Sequence, residues 1–130
     1  MKWGASAPHS PFSARVQNNV RMDSICDDLH AEHLALDVSV ADLTEAQWSL
    51  ATPAAEWSIR DQISHLWFFD QRAALALRDP DEFAADMHRL LAAGGTKASV
   101  EPGRRMSGTE LLAAWRADRN DLIALARSVD

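Results

Sequence analysis

Asp61 and His65 stand four residues apart in a stretch with helical periodicity, so they share one face of a helix. A histidine at the rim of a buried stripe can present one ring nitrogen inward while a carboxylate accepts from the other. Such a carboxylate fixes the tautomer and makes the imidazole a better metal donor. The plainer alternative is a half-buried histidine satisfied by a local acid, and spacing alone favours it. Asp70 falls near the centre of the same stripe, where a carboxylate is costly unless paired. It could serve as a second ligand or a general base, but the simpler expectation is a partner such as an arginine or a helix end. His30, His33 and Asp37 form a second chelating pattern, with His33 on a core stripe and His30 pointing elsewhere. Packing is the better reading of His33. His9 and His88 have no partners nearby in the sequence. Cys26, the one cysteine, is expected in the first turn of a helix, a position that activates a thiol only modestly. There is no Gly-rich phosphate loop, serine nucleophile elbow or recognisable Cys–His pair.

Side chains of this kind need a scaffold, and the composition favours helices. The chain has 130 residues, 47% of them hydrophobic and 25% charged, which suits one domain with a single core. The net charge of −6 argues against a nucleic-acid partner, which requires a clustered basic surface. A single cysteine excludes an internal disulfide and fits a reducing compartment. No apolar run has the length of a membrane span and no secretory signal is present, so neither a membrane partner nor export is expected. The expected location is cytoplasmic.

Residues 1–21 show neither helical nor strand periodicity and read as a flexible tail, with the folded domain occupying residues 22–130. A first helix is expected from Asp23 to Asp42, with Ile25, Leu29, His33, Leu36, Val40 and Leu43 on its core face. Thr44 and Gln47 form a capping-box pattern for a short turn ending at Trp48. After a linker at Thr52–Trp57, Ser58 caps a second helix from Ile59 to Arg78, with Asp61 at the third helical position. Its stripe is Ile59, Ile63, Leu66, Ala73 and Leu77, widened by Trp67, Phe68, Phe69 and Leu75 until little of the middle is polar. Asp79-Pro80-Asp81-Glu82 opens a short helix that Gly94-Gly95 ends. Thr96 to Arg105 reads as a polar loop. Ser107 and Glu110 then start a last helix running to about Ser128, with Leu111, Trp115, Leu122 and Val129 inward.

The block Thr52-Pro53, then Trp57-Ser58-Ile59-Arg60-Asp61-Gln62-Ile63-Ser64-His65-Leu66, resembles the mycothiol-dependent maleylpyruvate isomerase and DinB-like family of actinobacteria. The likeness continues through Asp79–Ala84 and Glu110–Arg116 and covers roughly residues 23–128. Glu56 departs from the pattern: relatives often carry glycine before the tryptophan, and glutamate tolerates a positive φ poorly. The resemblance implies an all-α, up-down four-helix bundle holding a divalent metal, commonly zinc. Its ligands would be a histidine that maps onto His65, and a Glu and a His one turn apart on a fourth bundle helix. That helix would lie beyond Asp130, so the bundle and its metal site are expected to be incomplete, as in a truncated chain. Mycothiol is implied as a thiol cofactor, with a small-molecule thiol or substrate as partner, and the activity implied is that of an isomerase or transferase. The competing expectation is a non-catalytic helical interaction module, or a truncated remnant, forming a homodimer through an uncovered apolar face. Trp67, Phe68 and Leu75 are its candidate residues.

Overall fold

The computed structural model describes the backbone of residues 11–129 and the side chains of residues 21–129. It is all-α, with no strand among the described residues. The elements are α1 (Pro11–Val40), α2 (Glu45–Trp48), α3 (Ile59–Arg78), α4 (Pro80–Ala92), a 3₁₀ turn (Gly95–Ser99), α5 (Glu101–Arg104) and α6 (Gly108–Arg127). The first helix, expected from Asp23, begins at Pro11, and neither Gly nor Pro interrupts the chain from there until Pro53. Proline at a first helical position loses nothing, because that N–H has no intrahelical partner. The rest of the expected tail, residues 1–10, lies outside the described residues.

Caps define the other boundaries. Thr44 and Gln47 form the reciprocal pair expected, as do Ser58 and Asp61 at the start of α3. The Asp79 side chain accepts from the Glu82 N–H, and the Ser107 hydroxyl from that of Glu110. The segment expected as a polar loop after Thr96 is instead the 3₁₀ turn followed by α5. These elements are too short to carry a periodic pattern, so their residues read only as polar.

Glu45 sets the architecture. One carboxylate meets Arg60 at the start of α3 (3.0 Å) and accepts from the Gly108 N–H at the start of α6 (2.8 Å). Both helices therefore begin at the same end, and the contacts of Trp67 and Gln71 with Asp118 farther along show that they run parallel. This is possible because α4, the 3₁₀ turn and α5 carry the chain back between them. The α1 helix runs the opposite way along α6, with Asp37 against Arg116 and Asp27 against Arg127. The core at the shared end is Val40, Trp48, Ile63, Leu111, Leu112 and Trp115. Burying each large side chain contributes roughly 1.5–3 kcal/mol, so this cluster anchors the first turns of α3.

The α3 stripe is only partly as expected. Ile63 is buried, but Leu66 and Leu77 are each 38% exposed and Ala73 is exposed. Phe68, expected on an uncovered face, is instead buried under the Arg72 guanidinium, which lies 3.8 Å from its ring centre. Trp67 and Leu75 are half-buried. A helix apolar on nearly every side gives periodicity no basis for choosing which side faces solvent. The open face is a groove of about 480 Å³ between α1 and α3, lined by Leu29, Leu36 and Leu66 with His33 and Asp70.

Candidate functional site

His65 sits two turns into α3, half-buried between two aromatic rings. Trp57 lies 5.0 Å away between ring centres and Phe69 4.8 Å away. The turn that delivers Trp57 closes at Glu56, whose φ of 67° is the one positive value at a non-glycine residue among those described. Thr52 holds that turn shut, donating to the Trp57 carbonyl from both its N–H (3.0 Å) and its hydroxyl (2.8 Å). The position where relatives often carry glycine does require a left-handed backbone.

Asp61 does not orient His65. Its carboxylate accepts from the Ser58 N–H (3.0 Å) and from Arg104 (2.9 and 3.3 Å), so it serves the helix cap and α5. Burial would raise its pKa, but Arg104 and the Ser58 hydrogen bonds outweigh that and lower it. The partner of the imidazole is Ser99, whose Oγ lies 2.9 Å from Nδ1. The same hydroxyl donates to the Thr96 carbonyl. A hydroxyl has one proton, so while that proton is given to Thr96 the oxygen faces His65 as an acceptor, which matches a ring protonated on Nδ1. In that tautomer Nε2 carries the lone pair, and no hydrogen bond among the described residues involves it. Burial lowers the His65 pKa, which favours this neutral form. The ring is a ready donor to a metal or a proton.

The second cluster lies where α1, α3 and α6 meet. Asp70 accepts from the Trp115 indole N–H at 3.1 Å, and His33 Nε2 lies 3.5 Å from the same oxygen. Burial raises the pKa of Asp70 and lowers that of His33, so each is pushed toward its neutral form and the two do not make a strong ion pair. His33 Nδ1 is buried without a partner. Asp37 receives Arg116 (2.7 and 2.8 Å) and Arg119 (2.7 Å), and the Arg116 hydrogen bonds lead in drawing its pKa down to about 2. Arg119 also covers the Trp115 ring at 4.4 Å. His30 is exposed, so the chelating pattern of His30, His33 and Asp37 does not converge: His33 turns to Asp70 and Asp37 to two arginines. Cys26 is 1% exposed and lies in the body of α1, well past its first turn, which makes it a packing residue. His88 is exposed on α4, and His9 lies outside the described residues.

Sequence reasoning identified His65 and Asp70 but missed Ser99, Trp115, Arg116 and Arg119. The arginines and the tryptophan had a faint signal, since a buried acid on α1 or α3 requires a donor from another helix. Ser99 had none. No group of three or more His, Cys, Asp or Glu side chains that could hold a metal occurs among the described residues. No described helix is long and apolar enough to cross a membrane.

These features define an all-helical domain that presents one oriented imidazole at the flank of a bundle helix. The chain belongs to the family of the mycothiol maleylpyruvate isomerase N-terminal domain, whose model matches residues 29–130. It is 38% identical over 97 residues to two curated relatives from strains of Mycobacterium tuberculosis, uncharacterized protein MT0041 and uncharacterized protein Rv0036c. The match covers 73% of this chain and 38% of each relative, so the chain spans well under half the length of the proteins it resembles. No solved structure matches it.

Proposed function

We propose that this chain is the metal-binding part of a cytoplasmic, mycothiol-linked isomerase or transferase, with His65 Nε2 as one ligand to a divalent metal, zinc in the first instance. The observation that carries the reading is the contact between His65 Nδ1 and the buried Ser99 hydroxyl at 2.9 Å, which would leave Nε2 as the nitrogen available to an ion. A metal-binding histidine commonly has this arrangement, one nitrogen for the ion and the other held by an oxygen acceptor. One imidazole fits as a single donor and cannot hold the ion alone, since catalytic zinc takes three protein ligands. Further ligands would have to come from elsewhere, since no group of three or more such side chains occurs among the described residues. When bound, the metal would act as a Lewis acid that polarises a thiol such as that of mycothiol. Trp57 and Phe69 flank the ring on either side.

Nitrogen-15 NMR of the imidazoles during zinc titration tests this reading. His65 should respond at Nε2, with the weak affinity of a lone imidazole, and the response should vanish in His65→Ala. Zinc shifts confined to other histidines, with His65 silent, would refute it.

The groove between α1 and α3 favours a second reading, self-association, because Leu29, Leu36 and Leu66 line it and Leu66 is 38% exposed. Sedimentation should then show a dimer that Leu66→Glu dissociates. A monomer at high concentration would exclude it.

A further inference from the structure

The segment from the 3₁₀ turn through α5 touches α3 at three neighbouring positions. Arg104 meets Asp61, and the Ser64 hydroxyl donates to the Ser99 carbonyl at 2.8 Å while accepting from the Gly103 N–H at 3.0 Å. Ser99 Oγ meets His65. Ser64, Ser99 and Gly103 are all buried, and a Cβ at Gly103 would overlap the Ser64 side chain, so the two segments lie closer than a side chain at position 103 would allow. The two serine hydroxyls have different tasks. That of Ser64 fastens the turn to the helix. That of Ser99 is fully buried, spends its proton on the Thr96 carbonyl and turns a lone pair to the ring.

We infer that Ser99 is a positioning residue, selecting the Nδ1–H tautomer of His65 and so deciding that Nε2 is the donor nitrogen. An imidazole without this acceptor is free to carry its proton on Nε2 and to rotate about its side-chain torsions. The part of the inference that concerns metal affinity rests on reading His65 as a ligand; the part that concerns the tautomer does not. Loss of a partner of this kind typically weakens metal binding about 10–100-fold.

The experiment is long-range nitrogen-15 NMR of the histidine rings in the full chain, for the native protein and for Ser99→Ala, Ser99→Cys and Ser64→Ala, with helicity followed by circular dichroism. Native His65 should appear as the Nδ1–H form. Ser99→Ala should move most of the population to Nε2–H and weaken the zinc response of His65 by at least about tenfold. Ser99→Cys keeps the side-chain shape with a poorer acceptor and should fall between, giving a reading even if the alanine variant folds badly. Ser64→Ala removes the fastening hydroxyl and should leave the tautomer as in the native protein. A native Nε2–H form would overturn the inference, as would an unchanged tautomer in both Ser99 variants or an equal change in Ser64→Ala. If the tautomer follows Ser99 but zinc leaves His65 untouched, the positioning role stands and the ligand reading fails.

Discussion

Asp37 is the acid on which the contact between α1 and α6 depends most. Its carboxylate is 12% exposed and takes hydrogen bonds from both Arg116 and Arg119, with Arg119 itself buried at 7%. A pKa drawn from 3.8 to about 2 corresponds to about 2 kcal/mol, at roughly 1.4 kcal/mol for each tenfold change in proton affinity. Because the folded value is depressed, this stability is fully present above pH 3.8 and is lost as pH falls through about 2. Asp37→Asn keeps the shape and removes the charge, leaving a buried guanidinium with one good acceptor fewer. The variant should lose about 2–3 kcal/mol at pH 7, a large fraction of the stability of a domain this size. Urea unfolding of both proteins at pH 7, 4 and 2 measures the difference directly. The gap between them should be widest at pH 7, persist at pH 4 and shrink toward pH 2. A gap below about 0.5 kcal/mol at pH 7 would show the ion pairs to be no better than exposed ones, and a gap independent of pH would show that the charge is not what stabilises the contact.

Glu56→Gly should stabilise the fold. The left-handed backbone is unfavourable for a glutamate by roughly 1–2 kcal/mol and glycine loses about 0.5–1 in chain entropy. The net gain of about 0.5–1 kcal/mol would appear as a rise of a few degrees in Tm, absent in Glu56→Ala. Gly103→Ala should lose about 1–3 kcal/mol through overlap with Ser64, read by thermal unfolding, and should also broaden the His65 NMR signal. Asp70 is pushed upward by burial, so its charged form destabilises the fold as pH rises. Asp70→Asn should therefore be the more stable protein at pH 7, with that advantage gone at pH 3; chemical denaturation at the two pH values checks the sign.

The helices were legible in the sequence wherever a cap marked their starts. Ser58 with Asp61, Asp79 with Glu82 and Thr44 with Gln47 all stand at helix starts, because capping is a local interaction between residues three apart. The N-terminal reach of α1 was not legible, since the stretch before Asp23 lacks an apolar repeat. The inward face of α3 was misjudged at Leu66 and Leu77 because neighbouring aromatic and aliphatic residues erase the polar side of the wheel. For the site, His65 could be found from its motif, but its partner could not. Asp61 was the nearest candidate in sequence, and the competing local demand of the helix cap took it. Ser99, 34 residues away, reaches the ring only because the turn after α4 folds back on α3. Likewise Asp70 found an indole N–H rather than an arginine, which sequence patterning has no means to indicate.

Glu45 touches the first residues of both α3 and α6, whereas the far end of the bundle is joined by Arg127 to Asp23 and Asp27, which are 64% and 70% exposed. Both ties are partly exposed, and the buried side chains of Trp48, Ile63 and Leu111 at one end and Cys26, Leu122 and Ile123 toward the other hold the bundle between them. The imidazole at position 65 thus stands on a helix whose first turns are held by the buried cluster and whose later turns rest on buried neighbours as well.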